Sequence, residues 1–461
     1  MKGNLVRTRF APSPTGELHI GGARTALFNF LFARANSGEF LLRIDDTDVE
    51  RSRREYEKLL LSELNWLGLS WDNQPERQSE RSVIYNKWLD ELKERGAVYP
   101  CFCSEERLEA MRAEQLAKGE PPRYDNSCRN ISRDEAEARI RSGEKFCWRL
   151  ALPENYIAKF DDLVQGHREF TAENIGDFVI QRSDGTPTYI FASAIDDYLM
   201  SVTHIIRGDE HIPNTARQIA IIDIMQWPRP VFAHIPMVLS QERRKLGKRT
   251  GSKPIREYRE RGYLPEAMDA YLATLSWNIE SNNNLNKFDI NELAKIFKLE
   301  DLSRSSPIHD EAHLLYWQKL AMKSKGGAAI AQELVKLDEN FKIYEARLDV
   351  LIEDLIDEAP FVNDLRDALS YIANRPNKLL DLNLAWLDDF IDNLNNLADW
   401  DAVSIEKFLR EFMKERKLKG REFFHPVRVI LTGLERGAAL PLIMYALGRD
   451  ECAARLKGAM N

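Results

Sequence analysis

The sequence predicts an α/β protein: a doubly wound, parallel-stranded domain interrupted by an α+β insertion and followed by an all-helical region. Three observations carry this. Residues 7–36 form a strand, a Pro/Gly loop and a helix; strands and helices alternate to about residue 103, lapse, and resume near 200; and from Tyr263 onward the pattern is that of packed, Trp- and Leu-rich helices.

In chain order, residues 5–10 are a β-type run and residues 11–16 a breaker-rich loop. A helix is predicted from near Gly22 to the Ser37-Gly38 break. Gly21 and Gly22 lack a Cβ, so a purine or phosphate can approach the backbone, and the N–H groups of a helix start favour negative charge. His19 sits just before those donors, where an imidazole can hydrogen-bond a phosphoryl oxygen as charge builds in displacement at phosphorus. Residues 40–44 are a second strand running into Asp45-Asp46-Thr47-Asp48. Carboxylates there suit the ligand end of a doubly wound sheet, or equally a capping turn before a helix over 53–67 that Gly68 ends. A helix over 80–95 and a third strand over 98–102, expected in the same parallel sheet, complete the first half.

Near Ser104 the alternation gives way to a charged helix, Gly119-Glu120-Pro121-Pro122, a cysteine-bearing loop, a helix over 133–141 and scattered strands. Ser183-Asp184-Gly185-Thr186, between β-rich runs 178–182 and 188–191, predicts a hairpin. The sheet pattern then resumes with a strand over 202–206, the polar end Arg207-Gly208-Asp209-Glu210, and Asn214 as N-cap of a helix over 215–225.

Composition narrows the function classes. A chain of 461 residues is too long for one ordinary core and predicts about three domains. No run approaches the roughly 18 apolar residues of a membrane span, and the start of the chain has neither signal core nor transit composition, which predicts the cytoplasm and no membrane partner. Five cysteines do not make a disulfide framework in so long a chain, but three of them cluster at metal-like spacing. The net charge of −8 hides local basic stripes: nine Lys and Arg against two Glu between residues 243 and 261, and a second run over 414–428. Such a chain can bind RNA on one face and repel it elsewhere.

Read together, residues 9–24, RFAPSPTGELHIGGAR, closely resemble the signature loop of the glutamyl-tRNA synthetases, class I aminoacyl-tRNA synthetases. Ser13 and Thr15 point to the glutamyl rather than the glutaminyl branch, and Gly22, where the class signature has histidine, is usual in that branch. Lys245-Leu246-Gly247-Lys248-Arg249 resembles the second signature, with Gly247 where the family usually has serine; its glycines and lysines suit a loop that closes over a triphosphate. Residues 419–428 with Leu431-Thr432-Gly433 resemble a run near the end of the bacterial enzymes.

The resemblance implies a Rossmann-type catalytic domain in two halves, 1–103 and 193–240, around a connective insertion, 104–192, that receives the tRNA acceptor end. A lysine-loop and stem-contact region, 241–319, and an all-helical anticodon-binding domain, 320–461, follow. It implies ATP bound by Pro12, Thr15, Gly16, His19, Gly21, Gly22, Lys245 and Lys248, with His19, Lys245 and Lys248 catalytic and Mg²⁺ accompanying the triphosphate. L-glutamate would be held by Arg9, Ser13, Asp45, Tyr189 and Arg207, with Tyr189 and Arg207 on opposite sides of an Asp196-Asp197 turn. Asp45 stands where the family often has glutamate, so its contact to the ammonium is expected through water. The partner implied is tRNA(Glu), and the protein a monomer. Two rival readings are a shorter paralogue that attaches glutamate to a modified tRNA base, which lacks the helical C-terminal half, and a non-catalytic tRNA-binding paralogue, which His19, Lys245 and Lys248 argue against.

Cys101-x-Cys103 and Cys128 match the zinc-site spacing of many bacterial members, but the histidine expected two residues after the third cysteine is Asn130, a poor ligand. Either Tyr124 supplies a phenolate as fourth ligand, or the three cysteines are a metal-free remnant.

Overall fold

The computed structural model describes residues 5–48, 50–246, 253–279, 287–376 and 384–459. They belong to two compact units, one of Met1–Glu257 with Asp269–Asp310, the other of Tyr258–Met268 with Glu311–Asn461.

The first unit begins with β1 (Arg7–Phe10), α1 (Ile20–Ala35), β2 (Glu39–Ile44), α2 (Arg54–Trp66), β3 (Glu76–Arg77) and α3 (Ser82–Glu94). Then come β4 (Val98–Cys101), α4 (Glu105–Ala117), α5 (Arg133–Arg141), β5 (Cys147–Leu150), β6 (Ile157–Asp162), β7 (Gly166–Thr171), α6 (Ala172–Ile175) and β8 (Val179–Gln181). It continues with α7 (Tyr189–Leu199), β9 (His204–Gly208), α8 (Ile212–Met225) and β10 (Val231–Ile235). β1 pairs parallel with β2 and β2 with β3; β9 pairs parallel with β10 and β10 with β6, with β7 antiparallel at that edge. The two halves meet between β1 and β9, where Thr203 N–H donates to Arg7 O at 3.0 Å and Arg7 N–H to Thr203 Oγ1 at 2.8 Å. This junction is the switch point of a doubly wound sheet, and its crevice opens at the carboxyl ends of β1 and β9.

α1 is buried nearly all round, through Ala23, Ala26, Leu27, Phe28, Phe30 and Leu31, as a helix sandwiched between layers must be. Its fully buried Asn29 accepts from Thr8 Oγ1 at the backbone carbonyl (2.8 Å) and donates through Nδ2 to Ile206 O (3.0 Å). One helix is thereby clamped to both β1 and β9, and its N-terminus is held at the crevice.

The structure corrects four local expectations. β4 is not in the parallel sheet: it pairs antiparallel with β5, and β5 with β8, in a separate three-stranded sheet of the insertion. The run 188–191 is the start of α7, and only Gln181 and Pro187 bridge across the predicted hairpin. A short apolar run does not by itself separate strand from helix, and Pro187 with Thr188 in extended geometry opens the helix instead. Asp196 and Asp197 therefore lie in α7 rather than in a turn. Finally, α8 starts at Ile212 with Pro213 in its first turn, so Asn214 is inside the helix.

The second unit contains only helices among its described residues, including Glu311–Lys325, Gly327–Leu337, Ala402–Glu415, Gly420–Thr432 and Leu440–Leu447. An aromatic cluster centres on Phe390, whose ring lies 5.1 Å from Phe412 and 5.4 Å from Phe423. Buried Arg455 donates to the carbonyls of Tyr371 and Leu431, both at 2.6 Å, satisfying helix ends that would otherwise be orphaned. Among the described residues no helix is long and apolar enough to cross a membrane.

Candidate active site

A cavity of about 310 Å³ occupies the crevice at the carboxyl ends of β1 and β9. The loop after β1 forms one wall. It is pinned from outside by Asp45 N–H donating to Pro12 O (3.0 Å) and Arg53 N–H to Pro14 O (2.9 Å). His19 is the N-cap of α1: its Nδ1 accepts from Gly22 N–H at 3.2 Å. In the neutral ring that acceptor role puts the proton on Nε2, which makes Nε2 the donor toward a ligand. A Cβ on Gly21 would stand 3.3 Å from the His19 ring, so the glycine is what lets the imidazole lie against the helix start.

The second signature reaches the same cavity. Residues 238–246 fold back on themselves, with Leu246 N–H donating to Val238 O (3.1 Å) and Ser240 N–H to Arg244 O (2.8 Å). Lys245 lines the cavity, its Nζ 3.8 Å from Glu210 Oε1. Beyond the lysine loop the chain returns to the first signature: Ile255 N–H donates to Leu18 O at 2.8 Å and Pro254 bridges His19. Gly247 and Lys248 lie outside the described residues.

Three buried guanidiniums line the cavity, of which Arg24 of α1, 2% exposed, spends its donors on the carbonyls of Leu275 and Pro236 and on Ser276 Oγ. Arg9 of β1, 3% exposed, is paired through Nε with Asp197 Oδ1 at 3.1 Å. Arg207 of β9, 5% exposed, donates through Nη2 to Thr215 Oγ1 (2.5 Å) and Gln218 Oε1 (2.6 Å), and its Nη1 is 3.4 Å from Tyr189 Oη. Burial would raise the Asp197 carboxyl, but Arg9 and Arg43 together hold it below the usual range. Burial, with Arg207 close by, pushes His211 down to about 3, so this lining residue is neutral. The lining thus carries Arg9, Arg24, Arg207 and Lys245 against Glu17 and Glu210, and the cavity favours an anionic ligand.

Of the residues singled out from the sequence, Arg9, Pro12, Ser13, Gly16, His19, Gly21, Gly22, Tyr189, Arg207 and Lys245 line this cavity. Thr15 and Asp45 do not. Asp45 is 2% exposed, and its carboxylate takes Arg43 Nε at 2.6 Å and Nη2 at 3.2 Å. Burial, with Asp196 and Asp197 adding to it, pushes it up to about 6 against the pull of Arg43, which also pairs with both of those carboxylates. Sequence reasoning missed Glu210 and His211 in the lining, and Asp197 as the partner of Arg9. The first two come three and four residues after Arg207 at a polar strand end, which is the signal that could have found them.

The cysteines converge at the insertion sheet. The sulfurs of Cys101, Cys103 and Cys128 lie within 4.8 Å of one another. Tyr124 Oη lies 3.3 Å from Cys101 Sγ and 3.5 Å from Cys103 Sγ, and accepts from Cys128 N–H at 3.0 Å. Asn130 is exposed. The cluster sits among cations: Arg107 Nη1 is 3.1 Å from Cys103 Sγ, and the Arg149 guanidinium lies 3.8 Å over the Tyr124 ring. A hydrogen bond from Cys147, with help from Tyr124 and Arg149, brings Cys101 down to about 4, whereas burial pushes the Tyr124 phenol up.

Comparison with known proteins gives the same outline. The family of class I tRNA synthetases (E and Q), catalytic domain, matches residues 5–316, and an anticodon binding domain family matches residues 316–460. The chain is 39% identical to the glutamate–tRNA ligase of Aquifex aeolicus, covering 98% of both chains, and 38% identical to glutamate–tRNA ligase 1 of Caldicellulosiruptor saccharolyticus, again over 98% of both. A crystal structure of a glutamate tRNA ligase from Elizabethkingia meningosepticum in complex with its amino acid superposes with a TM-score of 0.82 at 28% identity, covering 99% of each chain. The glutamate-tRNA synthetase of Elizabethkingia anophelis superposes with a TM-score of 0.80 at 27% identity, covering 99% of this chain and 100% of that one.

Proposed function

Since the chain belongs to the class I tRNA synthetases (E and Q), we propose that it is a glutamate–tRNA ligase, activating L-glutamate with ATP and transferring it to the 3′ end of tRNA(Glu) in the cytoplasm. The observation that carries the amino-acid choice is the pair of buried guanidiniums, Arg9 and Arg207, in one cavity with both signature segments. Arg24, the third buried guanidinium of the lining, is occupied by two backbone carbonyls and Ser276, so a substrate with two carboxylates matches the two that remain.

In the first step the α-carboxylate of glutamate attacks the α-phosphorus of ATP, giving glutamyl-adenylate and pyrophosphate; in the second, a ribose hydroxyl of tRNA attacks the acyl carbon and AMP leaves. No protein nucleophile is needed, so the residues orient and stabilise charge. Gly16, Gly21 and Gly22 let the nucleotide approach the backbone at the α1 N-terminus, with Pro12 and Thr15 shaping the loop. His19 Nε2 donates to a phosphoryl oxygen, and Lys245 and Lys248 counter the charge that develops on the triphosphate. Arg207 and Tyr189 hold the side-chain carboxylate, and Arg9 and Ser13 orient the reacting end. Asp45 acts at one remove, competing for Arg43 and so setting how firmly Asp197 grips Arg9. Mg²⁺ would neutralise the triphosphate.

The cysteine cluster fits zinc, because three thiols and a phenol oxygen converge. Cys101, Cys103 and Cys128 with Tyr124 would hold the ion. Its contribution would be structural, tying the loop around Cys128 to the insertion sheet.

The test is ATP–pyrophosphate exchange with each amino acid in turn, with tRNA present: glutamate alone should support exchange, and equal exchange with glutamine or aspartate would overturn the reading.

A further inference from the structure

Three neighbouring parallel strands carry an unbroken hydrogen-bonded line toward the cavity. Asp162 ends β6, His234 lies on β10, and Arg207 on β9 is the direct register partner of His234. The Asp162 and His234 side chains are both fully buried. Asp162 Oδ2 lies 2.6 Å from His234 Nδ1, and His234 Nε2 lies 3.3 Å from Arg207 Nε. We propose that His234 and Asp162 are positioning residues for amino-acid binding: Asp162 fixes His234 as its Nδ1–H tautomer, and Nε2 then accepts from Arg207 Nε–H and holds the guanidinium in its binding pose. This deepens the reading of Arg207 as a glutamate ligand and rests on it.

The proton assignment follows from the partners. The Asp162 carboxylate also accepts from the backbone N–H of Val164 (3.0 Å), Gln165 (2.7 Å) and His234 (3.1 Å). A carboxylate surrounded by N–H donors is anionic, and although burial opposes this, the His234 hydrogen bond and these donors hold Asp162 below the usual range. Nδ1 facing that anion must carry its proton. A second proton on Nε2 would point a cationic ring at the Arg207 guanidinium, with Arg9 and His211 as the other titratable groups facing it. Burial opposes the same charge, so the ring is neutral and Nε2 is an acceptor.

Its place in the Arg207 environment is specific. Nη2 is taken by Thr215 and Gln218 from α8, and Nε by His234. That pins two of the three guanidinium nitrogens and leaves Nη1, on the Tyr189 side, as the one for a ligand carboxylate. Thr215 Oγ1 is 2.9 Å from His234 Nε2, so the same imidazole braces a second contact of Arg207. An arginine with an unfixed fork samples several poses, and misplacement on the order of 1 Å can cost about 100-fold.

The test compares His234→Phe, which keeps ring volume without either nitrogen, His234→Gln, whose amide oxygen reaches the Nε2 position, and Arg207→Gln, in the full chain. ATP–pyrophosphate exchange is measured with tRNA present. His234→Phe should raise the glutamate KM about tenfold or more while the ATP KM stays near wild type, and His234→Gln should recover part of that loss. An unchanged glutamate KM in His234→Phe, an equal rise in both KM values, or no recovery in His234→Gln overturns the positioning role. If Arg207→Gln itself leaves the glutamate KM unchanged, it is the reading of Arg207 that fails. Should His234→Phe not fold, ¹⁵N NMR of the wild-type histidines at neutral pH decides: a neutral Nδ1–H ring is expected, and an Nε2–H ring overturns the proposal.

Discussion

Glu63 gives a pH-dependent prediction with a definite sign. It lies on α2, 2% exposed, with Oε1 accepting from Arg256 N–H at 3.1 Å and a second backbone bond from Leu18, while Oε2 has no partner among the described residues. It thus joins the first signature loop to the segment that follows the lysine loop. Burial, with Glu17 adding to it, pushes the carboxyl up to about 7. A group whose pKa is raised on folding contributes stability below its unfolded value, near 4.5, and loses that contribution as pH rises through about 7. The gap corresponds to about 3 kcal/mol once the carboxylate is fully ionised. Glu63→Gln keeps the volume and cannot ionise, so the variant should match wild type near pH 5 and be the more stable protein at pH 9. For a unit of this size 1 kcal/mol moves Tm by about 2 °C, so the first unit should melt about 6 °C higher in the variant at pH 9. Thermal unfolding followed by intrinsic fluorescence at pH 5, 7 and 9 is the assay. An offset that does not change with pH, or a variant less stable than wild type at pH 9, would refute the reasoning.

Other outcomes follow from the same residues. Lys248→Ala should lower the exchange kcat by about 100-fold or more with little change in the glutamate KM; a normal kcat with only a raised ATP KM would remove Lys248 from the transition state. Deleting residues 320–461 should abolish efficient tRNA charging while leaving a folded first unit, and near-normal charging by the truncated chain would show that the helical region does not engage tRNA. Protein purified without chelator should contain close to one zinc per chain, lost on acidification as the thiolates protonate. Full zinc retention in Tyr124→Phe would exclude the phenol as ligand.

How much of this was legible in the sequence depended on whether the signal was local. The loop from Arg9 to Gly22 could be read because Pro, Gly and His at those spacings act within one turn of chain, and the helix of 133–141 because Ser132 caps it and its charges pair along its face. β4 was assigned to the wrong sheet because a strand's sequence does not name its partner, and Cys147, its register neighbour, is 46 residues away. Residues 188–191 failed for the opposite reason: a threonine and three apolar residues fit either period. Asp45 had the right chemistry for an ammonium, but its orientation depends on Arg43, two residues earlier, and on Asp197 across the fold. The same holds for His234 and Asp162, which carry no motif and become a pair only when β6 joins β10.

The most direct test of the central claim is ATP-dependent transfer of labelled glutamate to tRNA(Glu), run in parallel on tRNA whose 3′-terminal ribose has been oxidised with periodate. The account predicts charging of intact tRNA and none of the oxidised form. Glutamate attached equally to both would place it on a base rather than the 3′ end, and no attachment to either would contradict the ligase assignment.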